Sequence, residues 1–270
     1  MKRRSNYLLL SLMLFGYAFL YAPIITLIIF SFNKSQVITT WTGFSLRWYH
    51  ELFSNKIMLN AAALSLKIAF MTANFAVIIG TIGALVIVRF KAFRGKTFLN
   101  GLVTAPLVMP EVMSGLAILL LFVVLQQNCG WPQERGMTTI TLGHITIAVA
   151  YVLVIIRARL SEFDNQLEEA ALDLGAKPVT IFFRITLPLI MPSILSGWLL
   201  AFTLSLDDVV IASFLSGPGS TTLPMVVFSS VRFGLSPQIN ALATIIVSIV
   251  ATGVILAAWI NLKTSKSMKE

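Results

Sequence analysis

Charge is scarce in this chain. Of its 270 residues only 11% are Asp, Glu, Lys or Arg, whereas 57% are hydrophobic and the mean hydropathy is +0.88. So few charges over so much apolar sequence exclude a single water-soluble core. The one cysteine, Cys129, excludes an internal disulfide. The two histidines, His50 and His144, lie far apart with no Cys or carboxylate at ligand spacing, so no metal site is expected and both read as polar residues at membrane edges. No Gly-x-x-x-x-Gly-Lys-Ser/Thr loop is present, which places any use of ATP in another polypeptide. Gly-x-Ser-x-Gly and His-Glu-x-x-His are also missing, leaving an intramembrane enzyme without a nucleophile or a metal; no catalytic residue is nominated.

What fills the chain instead is apolar runs long enough to cross about 30 Å of hydrocarbon. They fall near residues 7–32, 60–88, 98–126, 139–160, 190–215 and 239–262. Backbone groups in lipid must be bonded internally, and the alternating ten-residue pattern of a membrane barrel is absent, so the expected fold class is all-α: a polytopic membrane protein with six transmembrane helices. No repeat or interdomain linker interrupts it, so a single membrane domain over residues 1–270 is expected. Lys2, Arg3 and Arg4 before the first run imitate a secretory signal, but the run is too long and lacks a small-residue cleavage site, which reads as an uncleaved first span.

Acids are scarcer than bases, 11 against 20, for a formal net charge of +9. With a cytoplasmic N-terminus the inner segments carry fourteen Lys and Arg and the outer segments five. That asymmetry follows the positive-inside rule, puts both termini in the cytoplasm, and explains the basic balance without nucleic acid, because the cations bracket the spans and form no single patch.

Polar and helix-breaking residues inside the apolar runs mark the candidate path. Pro106 and Pro110 interrupt the third run, and a broken helix at membrane depth suggests a pathway. Three carboxylates lie within spans: Glu111 near the middle of the third, and Asp207 and Asp208 in the outer half of the fifth. A buried acid in a span is costly and faces a bundle interior, a partner or water, and a path for a cationic amine would explain all three. Adjacent helical residues point about 100° apart, so the two aspartates cannot share a proton on one face. Asp208 falls on the stripe Gly197, Ala201, Ser205, Ala212, which is either a water-lined wall or a close packing seam. Hydrogen bonding of these acids to nearby Ser, Thr or freed backbone is the alternative. Trp41 to Phe53 reads as a short helix at the outer interface, and Ser216 to Pro224 as the end of the fifth helix and an exposed loop.

Residues 161–189 form the longest charged connection. Glu168, Glu169 and Asp173 share a helix with Leu167, Ala170, Ala171 and Leu174, predicting one polar and one apolar face. Gly175 supplies a stop, Pro178 opens a second short helix, and Pro188 opens the fifth span. Physics alone leaves open whether this segment lies on the inner leaflet or enters a groove of another protein. The order Glu169-Ala170-Ala171, Gly175, then Ile185-Thr186-Leu187-Pro188 resembles the EAA signature of the membrane subunits of ABC importers. That resemblance implies the type I ABC importer permease fold, a coupling helix, and contact with an ATPase through Glu168, Glu169, Ala170, Ala171, Gly175, Phe182, Phe183 and Pro188. Residues 105–122, 197–214 and 216–232 are similar to the putrescine and spermidine importer permeases, most to the putrescine type.

The resemblance further implies a heterodimer with a second permease subunit, two cytoplasmic ATPase subunits that bind ATP and Mg, a periplasmic polyamine-binding protein, and location in a bacterial inner membrane. No cofactor and no nucleic acid is expected on this chain. The expectation is a polyamine permease subunit with Glu111, Asp207 and Asp208 along the substrate path. A permease for another importer cargo, or a proton-coupled secondary carrier, is the alternative.

Overall fold

The computed structural model describes residues 2–37, 40–90, 93–164, 166–233 and 237–267, with residues 2–8, 233 and 253–267 given as helix backbone alone. Among the described residues the secondary structure is helical, apart from one isolated bridge between Asn33 and Phe44. The helices are α1 (Lys2–Ser31), α2 (Arg47–Ser54), α3 (Lys56–Arg89), α4 (Lys96–Val108), α5 (Glu111–Cys129), α6 (Met137–Ser161) and α7 (Gln166–Asp173). They continue with α8 (Pro178–Asp207), α9 (Val210–Leu215), α10 (Leu223–Phe233) and α11 (Pro237–Ser267).

Among the described residues five stretches are long and apolar enough to cross a membrane: Leu9–Ser31, Lys56–Arg89, Glu111–Cys129, Met137–Ser161 and Pro178–Asp207. The sixth expected crossing falls on α11, and the expected third run is split into α4 and α5. Of the cations counted toward orientation, Lys91 and Lys269 lie outside the described residues, and Lys2, Arg3, Arg4, Lys263 and Lys266 are described only as backbone.

Contacts divide the chain into two compact units, Met1–Leu59 with Val227–Glu270, and Asn60–Val226. In the first, α11 packs on α1 and α2. The expected interfacial helix is α2, pinned by Asn33: its carbonyl accepts the Trp48 indole N–H at 2.6 Å, and its side chain holds Thr40 and Thr42. Gln238 of α11 donates to Glu51 and accepts from Asn55, each at 3.1 Å.

In the second unit α6 is the central helix, packed along α8 with α4, α5 and α9 around it. Its Val152 is wholly buried. A Cβ on Gly80 of α3 would come within 2.8 Å of the Val152 side chain, and one on Gly197 of α8 within 3.3 Å. Missing side chains at these two positions let the neighbouring helices approach α6 closely, the way helices associate in lipid, where van der Waals packing replaces a hydrophobic driving force. Of the stripe, Gly197 and Ala201 are buried in a packing seam, whereas Ser205, also buried, and Asp208 line a cavity.

Three expectations change. The fifth span does not open at Pro188: the helix starts at Pro178 and runs through a wide turn, Phe182–Thr186, in which the Leu187 N–H reaches back to the Phe182 carbonyl. A wide turn directly before Pro188 accommodates a residue that has no N–H and whose ring clashes with a regular preceding turn. The same helix ends early, at Asp207. Finally, the Ser216–Pro224 stretch is not an exposed loop throughout. Its Pro218–Gly219 tip is exposed, but Ser220 and Thr222 are buried, and the Leu223 N–H donates to Ser65 at 2.8 Å. The apolar α9, with Ile211, Ala212 and Leu215 buried, draws the segment inward.

Candidate functional site

Two helix breaks meet beside α6. At the first, Pro110 forces Met109 out of the helical region to φ −77°, ψ 138°, so α4 stops and α5 restarts with Glu111 as its first residue. Glu111 thus sits at a helix N-terminus, where the exposed N–H groups favour negative charge, and not in mid-helix. The second break separates α8 from α9 at Asp208, which is extended at φ −67°, ψ 126°. Its carboxylate Oδ1 accepts the Ala212 N–H at 2.8 Å, satisfying one donor freed by the break.

Between these breaks lies a cavity of about 260 Å³. Glu111, Ser114, His144, Tyr151, Ser205 and Asp208 supply its polar lining, and Pro106, Pro110 and Ile147 are among its apolar walls. Glu111 and Asp208, separated by almost a hundred residues of sequence, therefore open on one space. Asp207 does not line it; it is exposed, consistent with the 100° offset between neighbours. His144 is not an edge residue. It is 4% exposed, its Nδ1 is 2.7 Å from Ser205 Oγ, and its Nε2 is 3.3 Å from Asp208 Oδ1. The sequence placed Ser205 on the Asp208 stripe but read His144 as an edge residue and did not single out Tyr151; the available signal for His144 was an ionisable ring two turns inside an apolar helix.

The second candidate region is the connection between α6 and α8. Gly175 is left-handed at φ +78°, its N–H bonds to Leu172 and the Ala176 N–H to Ala171, which is the paired arrangement that ends a helix at a glycine. The expected stop is present. The expected polar and apolar faces are not. Glu168 is 7% exposed and bonded to both terminal nitrogens of Arg89 and to the Thr186 hydroxyl, while Leu174 is 89% exposed and Leu167 and Leu172 are half exposed. The reason is electrostatic: Arg89, at the end of α3, also lies 3.4 Å from the Thr186 hydroxyl, and a carboxylate completes the pairing. Burial pushes the Glu168 carboxyl up, but the bonds from Arg89 and Thr186 outweigh it and hold it below its ordinary value.

Of the other residues assigned to this region, Glu169, Ala170, Gly175, Phe183 and Pro188 are exposed and Ala171 and Phe182 partly so. Arg89 and Thr186 were not anticipated as members of the group. Arg89 had been counted only toward orientation.

A bundle of apolar helices, broken twice around a carboxylate-lined cavity and carrying an exposed apolar connection, fits a multi-pass transport component. The chain belongs to the family described as binding-protein-dependent transport system inner membrane component, whose profile matches residues 76–270, and it is a multi-pass protein of the inner membrane. It is 58% identical over 249 residues, 92% of this chain and 88% of the relative, to the putrescine transport system permease protein PotI of Escherichia coli K12. It is 42% identical to the spermidine/putrescine transport system permease protein PotC of Haemophilus influenzae, covering 92% of this chain and 94% of that one. Among solved structures the fold is shared with a bacterial ABC transporter for the acidic polysaccharide alginate, at TM-score 0.73, 15% identity and 95% coverage of both chains. It is also shared with the MetNI methionine ABC transporter, at TM-score 0.60, 14% identity and coverage of 74% of this chain and 92% of that one.

Proposed function

We propose that this chain is the permease subunit of an ATP-driven importer of aliphatic polyamines, with putrescine as principal cargo and spermidine as a second. The observation that carries the reading is the convergence of Glu111 and Asp208 on one cavity, in a chain 58% identical to a putrescine permease. Two fixed carboxylates offset part of the hydration that an α,ω-diammonium loses on entering the membrane. Asp207, exposed and outside this cavity, is assigned to the part of the path shared with a second permease subunit.

The subunit pairs with that second permease and is served by two cytoplasmic ATPase subunits, which hold ATP and Mg, and by a periplasmic binding protein. Both termini are cytoplasmic, the side carrying fourteen of the Lys and Arg residues outside the spans. The connection from α6 to α8 seats in the ATPase through Glu169, Ala170, Ala171, Gly175, Phe182, Phe183 and Pro188. Its support is the exposure of Leu167, Leu172 and Leu174, apolar side chains without cover outside the spans. Glu168, buried against Arg89, holds the coupling segment to α3 and does not itself face the ATPase.

The test is uptake of labelled putrescine by the complete transporter. Glu169→Arg and Gly175→Pro each abolish ATP-dependent uptake, the latter because proline reaches neither φ +78° nor the N–H that bonds to Leu172. Glu111→Gln and Asp208→Asn weaken uptake with assembly intact. Uptake that tolerates the loop changes but collapses with an uncoupler marks a secondary carrier instead.

A further inference from the structure

His144 is the one buried ionisable side chain of the cavity whose partners come entirely from across a helix break. Its ring stands on α6, Ser205 on the last turns of α8, and Asp208 in the gap before α9. Ser205 Oγ lies 2.7 Å from Nδ1, and Asp208 Oδ1 lies 3.3 Å from Nε2. A bare Nε2 would turn its lone pair toward a carboxylate, so the proton belongs on Nε2 and the serine hydroxyl donates to Nδ1. Even so, Nε2 makes no aligned hydrogen bond among the described residues, although the ring is buried. Asp208 Oδ1 is already held by the Ala212 N–H at 2.8 Å. That bond and the 3.3 Å contact with Nε2 fall on the same oxygen. Oδ2 takes no hydrogen bond among the described residues and is the oxygen left for a ligand.

We infer that His144 is a positioning residue for the amine path: fixed by Ser205, it holds Oδ1 of Asp208 against the protein so that Oδ2 is presented to one ammonium group of the cargo. The inference rests on the reading of this cavity as the amine path and adds to it the residue that sets the carboxylate's orientation. An arriving ammonium draws the carboxylate toward the cavity, and the unaligned Nε2–H is the donor available to follow it. Oriented donors of this kind matter most in a dry, low-dielectric site, where a misdirected charge is not corrected by water.

The test uses the complete transporter in proteoliposomes and reads labelled 1,4-diaminobutane taken up per ATP hydrolysed. His144→Leu removes the donor and is expected to lower this ratio about tenfold, the effect of one hydrogen bond to a charged group that can no longer form as the carboxylate moves. His144→Gln carries an amide N–H close to the position of Nε2 and is expected to recover most of the ratio, while Ser205→Ala, which frees the ring, falls between. The inference is overturned if Gln is as impaired as Leu, or if all three variants keep the wild-type ratio. It is equally overturned if complex yield and ATP hydrolysis fall together at an unchanged ratio, since His144 would then only brace the break. Should His144→Leu fail to assemble, Ser205→Ala and His144→Gln decide by the same ratio. Glu111→Gln and Asp208→Asn in the same assay separate the two readings: full transport by both sinks the amine path itself, whereas their loss beside an unaffected His144→Leu sinks only the positioning role.

Discussion

Glu168 shows how one side chain changes meaning once its neighbours are known. As a helix-surface acid it would be worth little, but as the partner of Arg89 and Thr186 it locks the connection to the end of α3. Its carboxyl is held below the ordinary value of 4.5, so the ionised form stabilises the fold at neutral pH. That contribution is present above the unfolded value and lost as pH falls through the folded one. Amide protection across residues 166–188, measured against the intrinsic rate at each pH, is expected to hold at neutral pH and to fall only below the unfolded value of 4.5. Arg89→Gln lowers this protection at neutral pH, where Glu168 is ionised, and adds little once the carboxyl is protonated. The expected cost is about 2 kcal/mol, under the 3–5 kcal/mol of a fully buried pair, because Arg89 stays 38% exposed. A second residue-scale outcome concerns Gly143, where an added Cβ would fall 2.3 Å from Leu215 Cδ1 and 3.2 Å from Ile211. Gly143→Ala should lower stability by about 1–3 kcal/mol through overpacking, read as a lower midpoint in thermal denaturation of the purified complex.

At the scale of the element, the two breaks beside α6 were not equally readable. The first is written in residue type: proline constrains the residue before it, which favours a stop at Met109–Pro110, although Pro106, expected to interrupt the same run, stays inside α4. The second falls in Leu206-Asp207-Asp208-Val209, where no Gly or Pro stands, and β-branched apolar residues on its far side continue an apolar pattern. There the Asp208 carboxylate accepts the Ala212 N–H, satisfying one donor the break frees, a local bond that periodicity does not show. This difference predicts the behaviour of Pro110→Ala. Removing the proline favours a continuous helix by up to about 3 kcal/mol, so thermal stability should hold or rise while α4 and α5 straighten across the cavity. Uptake per ATP is expected to fall in that variant, and unchanged uptake would show that the break is not needed for transport. The wide turn before Pro188 belongs with these cases: a proline was legible as a boundary, but the helix absorbed it through Phe182–Thr186 and ran on.

For the whole molecule, orientation is the property on which the remaining assignments depend. Cys129 is exposed at the end of α5 and is the sole cysteine, so it reports sidedness without engineering. With both termini cytoplasmic, a membrane-impermeant maleimide should label it in intact spheroplasts and leave it unlabelled in inside-out vesicles; the reverse pattern would invert the path and the coupling face together. Length and apolarity alone established a helical, multi-pass chain, because backbone groups in lipid have no partner but their own helix. Residue type alone also established the stop at Gly175 and the break at Pro110, since both are local properties of backbone geometry. Only the tertiary structure brought Arg89 to Glu168 across 79 residues and His144 to Ser205 across 61. Those pairings follow from how each helix is rotated about its axis, and that rotation is set by close packing, as at Val152 between Gly80 and Gly197, which no pattern within a single helix encodes.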